Sequence, residues 1–467
     1  MATLLERIFG VARRILNMRR GESGLAVLAA LFFFLVLFGY FFVRPVREAM
    51  GVARGMEDLR WLFAVTSVAS LFAVLVFGGV VARTNRRRFI PVAYLFVIAC
   101  LIGFATLLIQ DVRAGGGLIG TDAETGLARG VGYTFYVWLS VINLFSTSVF
   151  WAFMVDVFDV DQGKRMFPFI GIGGTLGAFL GGRGASLVSG LTESPYLPAG
   201  FMLIGAGCFA LAIFVMLALD RKAGASDLSR LGTDRAGEPN AADGGAAGPE
   251  RGRRGDSGTR IGGGALEGLR AVFTSPYLLG IGLWVVFMAI SNTLIYFTQA
   301  NVILEATDTF SQRVGSFADF DSLAQFGTLL TQVFITTHLI RKLGVGWTLA
   351  ILPLVTVLGF VVLAVWPLYG VMMIFQAVHR ATRYAVSRPS RETLFSVVPP
   401  AEKYKGKPIV DVFLYRGGDL AGAGIDSLFA MLGLALAWVA MSTAPLAGMW
   451  IVLSIALGRA QARRVPP

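Results

Sequence analysis

Two stretches of the chain read alike: GKRMFPFIGIGGTLGA at residues 163–178 and GKPIVDVFLYRGGDLAGA at residues 406–423. Each opens on a Gly-Lys pair, passes a proline and runs into an apolar segment rich in glycine and alanine. A second pair corresponds in the same way. GGVVARTNRRRF at 78–89 and THLIRKLGVGW at 337–347 are both short basic turns between apolar runs. Matching features at matching places in two parts of one chain indicate duplication of a unit.

The size of that unit follows from the apolar runs. Of the 467 residues, 55% are hydrophobic and only 15% charged, with a mean hydropathy of +0.69, which excludes an ordinary soluble protein. Runs of about 20 apolar residues, each long enough to cross a bilayer core as a helix, recur along the chain. They fall near 25–43, 61–82, 89–110, 131–156, 166–190 and 199–219, and then near 276–299, 320–340, 346–366, 369–396, 407–432 and 434–457. The reading is an all-α membrane protein of twelve transmembrane helices in two six-helix halves. With a long central loop this is the major facilitator architecture, in which substrate binds near the midplane between the halves.

The remaining segments complete the organisation. Residues 1–24 form an N-terminal amphipathic segment; TLLERIFGVARRILNMRR at 3–20 sets apolar side chains against arginines, as in a helix lying on the inner leaflet. The halves occupy 25–219 and 265–458. Between them 220–264, with RAGEPNAADGGAAGPERGRRGD at 235–256, has little to bury and reads as a disordered cytoplasmic linker. Residues 459–467 are a cytoplasmic tail. The net charge of +12 gathers on one side: Arg13, Arg14, Arg19 and Arg20, the basic turns quoted above, Lys164 and Arg165, Lys403 to Lys407, and Arg463 and Arg464. By the positive-inside rule both termini face the cytoplasm of a bacterial inner membrane, and the charge meets anionic lipid, with no nucleic acid implied.

Several chemistries are excluded. Cys100 and Cys208 both lie in apolar runs, so there is no disulfide framework or metal knuckle. His338 and His379 are the only histidines, and no HExxH or GxxxxGK[ST] string occurs, which removes zinc hydrolases and P-loop motors. The GGD string at 417–419 lacks the YD partner an intramembrane aspartyl protease needs. The run GIGGTLGAFLGG at 171–182 lies inside a span and suits close helix packing better than a nucleotide loop. No enzyme, cofactor or metal is expected.

Charge at bilayer depth is costly, so ionisable residues in the spans are the candidate functional groups. Arg44, Arg47 and Glu48 end the first span, and two arginines three apart share a helix face. Asp156 closes the fourth. The tenth span carries FQAVHRATRYAVSRPSRETLF at 375–395, with His379, Arg383 and Ser387 four apart and Arg380, Tyr384, Arg388 and Arg391 on a neighbouring stripe. Such a face must meet protein, water or an anion, and arginine forks onto phosphate oxygens. The substrate-binding set is therefore Arg44, Arg47, Arg383, Tyr384 and Arg388. Glu48, Asp156, Arg391, Glu392, Asp411, Arg416 and Asp419 are the gating or coupling set.

At these residues the sequence resembles the ATP:ADP antiporter family, the nucleotide transporters of plastids and obligate intracellular bacteria. RPVREAM at 44–50, RYAVSRPSRETLF at 383–395 and EKYKGKPIVDVFLYRGGD at 402–419 carry the likeness. The family's first-span string is close to RDTKD. Arg44 matches its arginine, Arg47 replaces its lysine, Glu48 stands for its final acid, and Asp156 matches an acid late in its fourth span. In the seventh span the family is similar to NLVEVTWK where this chain has NTLIYFTQ at 292–299, so Ile295 replaces an acid and Gln299 a lysine. The resemblance implies a secondary transporter of an organic anion, a nucleotide or other phosphorylated metabolite, working by alternating access of the ATP/ADP-exchange type; a monomer is expected, though no residue pattern fixes the oligomeric state. Two rival readings fit the same composition: a lipid or lysolipid flippase of the same fold, and a non-transporting membrane scaffold.

The charge distribution makes a direct prediction. Cysteines introduced at Ala241 and Ala460 label only from the cytoplasm and one at Thr121 only from outside, and external labelling at Ala241 overturns the twelve-span layout.

Overall fold

A computed structural model describes residues 23–83, 86–236, 270, 272–399, 402, 406–433 and 436–464. The expected amphipathic segment and most of the linker lie outside the described residues. Among those described the chain is helical and has no strand. The first half comprises α1 (Ser23–Val52), α2 (Met56–Arg83), α3 (Arg86–Arg113), α4 (Gly126–Val157), α5 (Val160–Ser189) and α6 (Leu197–Ala236). The second begins with α7 (Pro276–Ala306), α8 (Phe310–Phe334) and α9 (Thr336–Val365). Its tenth rod joins α10 (Tyr369–Ala381), a π-helical turn (Thr382–Ser387) and α11 (Arg388–Leu394). A second π-helical turn (Ile409–Leu414) leads into α12 (Tyr415–Met431), and α13 (Leu436–Ala462) closes the chain. Among the described residues seven of these helices are long and apolar enough to cross a membrane by length and composition.

The packing repeats between halves, as the duplicated strings imply. In the first half α1 packs on α5 and α6, and α3 on α4 and α6. In the second, α7 packs on α12 and α13, and α9 on α10 and α13. The halves meet where α5 lies on α8, α2 on α12 and α1 on α8. A buried cluster of Val52, Leu59, Leu62 and Tyr136 with Ile290, Phe297, Phe317 and Phe320 fills that seam.

Hydrocarbon gives apolar helices no reason to leave lipid for one another, so close van der Waals contact has to hold them. Glycine ridges supply it at corresponding places. Gly173, Gly177 and Gly181 on α5 sit four apart over Ala30, Phe34 and Phe38 of α1, and a Cβ added at Gly173 would stand 2.7 Å from the Ala30 carbonyl oxygen. On α12, a Cβ at Gly418 or Gly422 would stand 2.9 Å from the Val286 or 3.1 Å from the Ile290 carbonyl oxygen of α7. The 171–182 run is thus a helix-packing surface.

Two boundaries differ from the sequence reading. The first span was expected to end by Arg44, but α1 continues through Pro45 to Val52, because Asp321 of α8 and Glu48 of α1 itself neutralise the charge that marked its end. The sixth helix runs on to Ala236 through residues assigned to the linker from 220. That stretch holds no proline, and Pro239 is the first to follow it.

Gly177→Val should therefore lower stability by about 1–3 kcal/mol, the usual cost of forcing apart a packed contact. Gly207→Val, where nothing lies within 4 Å of an added Cβ, should leave the melting temperature of the detergent-solubilised protein close to the parent's.

Candidate functional site

The arginine expected at the end of the first span lies inside a longer helix. Arg44 is eight residues from the C-terminal end of α1, about 12 Å inside it at 1.5 Å per residue. It sits in a charged network that crosses the seam between halves. Glu48, 1% exposed, accepts from Arg44 Nε at 3.3 Å, from Arg47 and from the Tyr296 hydroxyl of α7 at 2.7 Å. Arg47 also donates to Ser140 Oγ at 2.7 Å, and its guanidinium lies 4.7 Å over the Tyr136 ring. The hydroxyls of Tyr136 and Tyr296 are 3.0 Å apart. Asp321, on α8, takes Arg44 Nη1 at 2.9 Å and Arg380 of α10 on the same carboxylate oxygen.

A second cluster lies deeper. Arg383 donates to Asn292 Oδ1 and to the Tyr384 hydroxyl, with its guanidinium 4.4 Å over the Tyr384 ring. Asn292 is 16 residues into α7, about 24 Å along a 31-residue helix and so near its middle. Beside it, Thr293 Oγ1 donates to Asp419 at 3.2 Å, and Arg416 Nη1 donates to the other oxygen of Asp419 at 2.9 Å. Gln299, which stands where the resembled family has lysine, accepts from Gln376 Nε2 at 2.7 Å. His379 is fully buried against Phe375, and neither ring nitrogen has a hydrogen-bond partner.

The local backbone decides which members of the tenth span converge. Pro389 has no amide hydrogen, and the helix ahead of it widens into the π-helical turn Thr382–Ser387, with the Arg388 N–H bonded to the Arg383 carbonyl. The extra residue in that turn rotates everything after it by about 100° relative to a continuous α-helix. The single stripe expected from Arg380 to Arg391 is consequently broken. Arg380 and Arg383 face the networks, while Arg388 is exposed. Arg391 turns to the eleventh rod, 3.1 Å from Asp411, and lies 3.5 Å from Glu392, which Lys407 holds at 2.5 Å. This clip joins two rods of one half. Asp156 lies exposed near the end of α4.

The sequence reading left Asp321, Tyr296, Tyr136 and Asn292 out of the site and gave Arg380 no role of its own. Asp321 had a signal, an acid within FADFDSLAQF at 317–326. Starting the eighth span at 320 put it at the edge, whereas α8 begins at Phe310 and carries it about 16 Å inward. The other three are ordinary polar residues of apolar helices until the fold brings them beside arginine.

Further pairs fasten the seam: Arg60 to Asp426 at 2.7 Å, Arg183 to Asp319 at 2.7 Å, and Thr309 to Glu193 at 2.9 Å. A cavity of about 400 Å³ opens on its flank between Phe179, Arg183, Asp319, Phe326 and Met373, beside the arginine network and apart from it. In the two networks the arginines 44, 47, 380, 383 and 416 face the carboxylates of Glu48, Asp321 and Asp419. Positive charge is in excess by two.

No family model matches the chain, and no curated protein matches it. Solved structures match over nearly its whole length. A bacterial homologue of the iron transporter ferroportin in an inward-facing state is 12% identical over 94% of this chain and 98% of that chain, with a TM-score of 0.60. The nucleoside transporter NupG, in the form of a point mutant, is 14% identical over 95% of this chain and 100% of that chain, with a TM-score of 0.53. At such identities the likeness is one of fold, and the fold is of the major facilitator type.

Glu48, almost fully buried, neutralises two arginines of its own helix, so Glu48→Ala should cost about 3–5 kcal/mol, the range for breaking a buried ion pair from one side. Thermal unfolding in detergent measures it. A shift no larger than that of an exposed ion-pair variant such as Glu392→Ala contradicts the network's role.

Proposed function

We propose that the chain is a carrier of small organic anions that works by alternating access in the bacterial inner membrane. The observation that carries this reading is Arg383, at mid-depth, whose hydrogen bonds go to the neutral groups of Asn292 and Tyr384 while the surrounding networks already hold more arginine than carboxylate. A buried guanidinium without a matching charge is costly, and an anion with two negative charges would balance the excess. Phosphate suits the fork of arginine best, which favours a nucleotide or another phosphorylated metabolite. The resemblance to ATP:ADP antiporters points the same way.

Alternating access is supported by where the halves hold each other. The pairs that cross the seam are ionic and run from Arg44–Asp321 and Arg183–Asp319 to Arg60–Asp426, whereas the Arg391, Glu392, Lys407 and Asp411 clip joins rods within one half. Arg388, exposed beyond the π-helical turn, belongs in this reading to the approach to the site, with Arg47 and Tyr384 as further anion contacts. A scaffold needs its buried charge fully paired, and the excess of arginine argues against one. The flank cavity with its half-exposed Arg183–Asp319 pair favours the flippase as second reading.

Proteoliposomes separate these readings. Vesicles loaded with ADP should take up labelled ATP faster than empty ones. Equal uptake across a nucleotide panel removes the nucleotide assignment, and uptake of labelled lysophospholipid in its place selects the flippase. Arg383→Ala should weaken anion binding by about 10- to 100-fold, the value of a charged forked hydrogen bond, with Arg383→Lys in between. Unchanged affinity in a folded Arg383→Ala protein removes Arg383 from the site.

A further inference from the structure

Asp321 is bonded in a way that a purely structural carboxylate has no need of. It is 3% exposed, yet its two guanidinium partners, Arg44 from the first half and Arg380 from the second, converge on one oxygen, Oδ1. The other, Oδ2, is buried with no hydrogen-bond partner. A carboxylate offers about four acceptor positions over its two oxygens, and arginine prefers to fork across both. Here two arginines point at a single oxygen, as they would at one corner of a tetrahedral or carboxylate anion held between separate elements. Arg44 keeps a second tie to its own half through Glu48, four residues along α1.

We propose that Arg44 and Arg380 form an oxyanion subsite that Asp321 occupies when the carrier is empty, and that a phosphoryl or carboxylate group of the substrate displaces Asp321 from Arg44 as the halves part. The inference rests on the anion-carrier reading and deepens it, by giving the site an internal competitor. Arg44 withdraws with the first half, still neutralised by Glu48, while Asp321 remains with Arg380. Substrate charge replaces the lost contact, so neutral analogues of the same shape cannot release the seam. Selection for an anion then arises from displacement of Asp321, in addition to attraction by arginine.

The test uses the full chain in lipid nanodiscs, with ADP and inorganic phosphate as probes. Removing an internal competitor raises apparent affinity by the fraction of subsites it had occupied, so Asp321→Asn should bind ADP about tenfold more tightly than the parent. Arg380→Gln added to Asp321→Asn should abolish that gain, because the second donor is lost. A folded Asp321→Asn protein that binds ADP no more tightly than the parent, or an Asp321→Asn/Arg380→Gln protein that still binds it about tenfold more tightly than the parent, overturns the subsite. If Asp321→Asn leaves too much buried positive charge to fold, the charge-balanced Asp321→Asn/Arg380→Gln protein is compared with Arg380→Gln alone. The double variant should bind ADP more tightly, since Arg44 is freed, and equal or weaker binding overturns the proposal. ADP binding by the parent without the gain removes the subsite and leaves the carrier reading standing. Failure of every protein to bind ADP or phosphate removes both.

Discussion

A carboxylate placed between arginines of different helices is the interaction on which the join of the two halves depends. An arginine cannot sit in hydrocarbon alone, and an arginine whose counter-charge belongs to another helix fixes the two helices together. Asp321 of α8 does this for Arg44 of α1 and Arg380 of α10, while Glu48, which neutralises Arg44 and Arg47 on its own helix, is tied across the seam by the Tyr296 hydroxyl of α7. The polar atoms align the halves, and the aromatic cluster around Phe297, Phe317 and Phe320 fills the space they leave. Because the ties are ionic they are strong only while matched. That property suits an interface required to open, where a wholly apolar seam would offer a solute nothing to exchange with.

Within each half the constraint is different. There the helices approach on glycine, α5 over α1 and α12 over α7, and the close carbonyl contacts leave no room for side-chain rearrangement. Rigid halves and an exchangeable seam are what a rocking motion needs. The two glycine ridges fall largely in the two sequence stretches that resemble each other.

Much of the fold was legible because it rests on local signals. Apolar run length marked the chain as helical, and the repeated strings fall on helices that pack in corresponding ways in the two parts of the chain. The site was legible only in part. Arg44, Glu48, Arg383 and Asp419 stand out as charges in apolar surroundings, and the structure draws them into the two networks. Asp321 escaped through an error of ten residues in a helix start, and Tyr136, Tyr296 and Asn292 carry no signal until a distant helix lies beside them. The orientation of Arg388 and Arg391 was misjudged for another reason: helical periodicity assumes an unbroken α-helix, and Pro389 breaks it by widening the turn before it.

That widened turn makes the tenth rod a rotary joint. In a π-helical turn one residue more than usual is stored in nearly the same length, and returning it to α geometry advances the chain beyond by about 1.5 Å and turns it by about 100°. Everything after Ser387 would swing as a unit, carrying Arg388 around the rod's axis and the Arg391 clip with it. The eleventh rod has its own such turn at Ile409–Leu414, across from the first through that clip. Arg391, just beyond the first turn, pairs with Asp411 inside the second, so the rotational phase set by each turn bears on the pairing open to the other. Beyond its widened turn each rod presents residues about 100° away from those an unbroken α-helix would present.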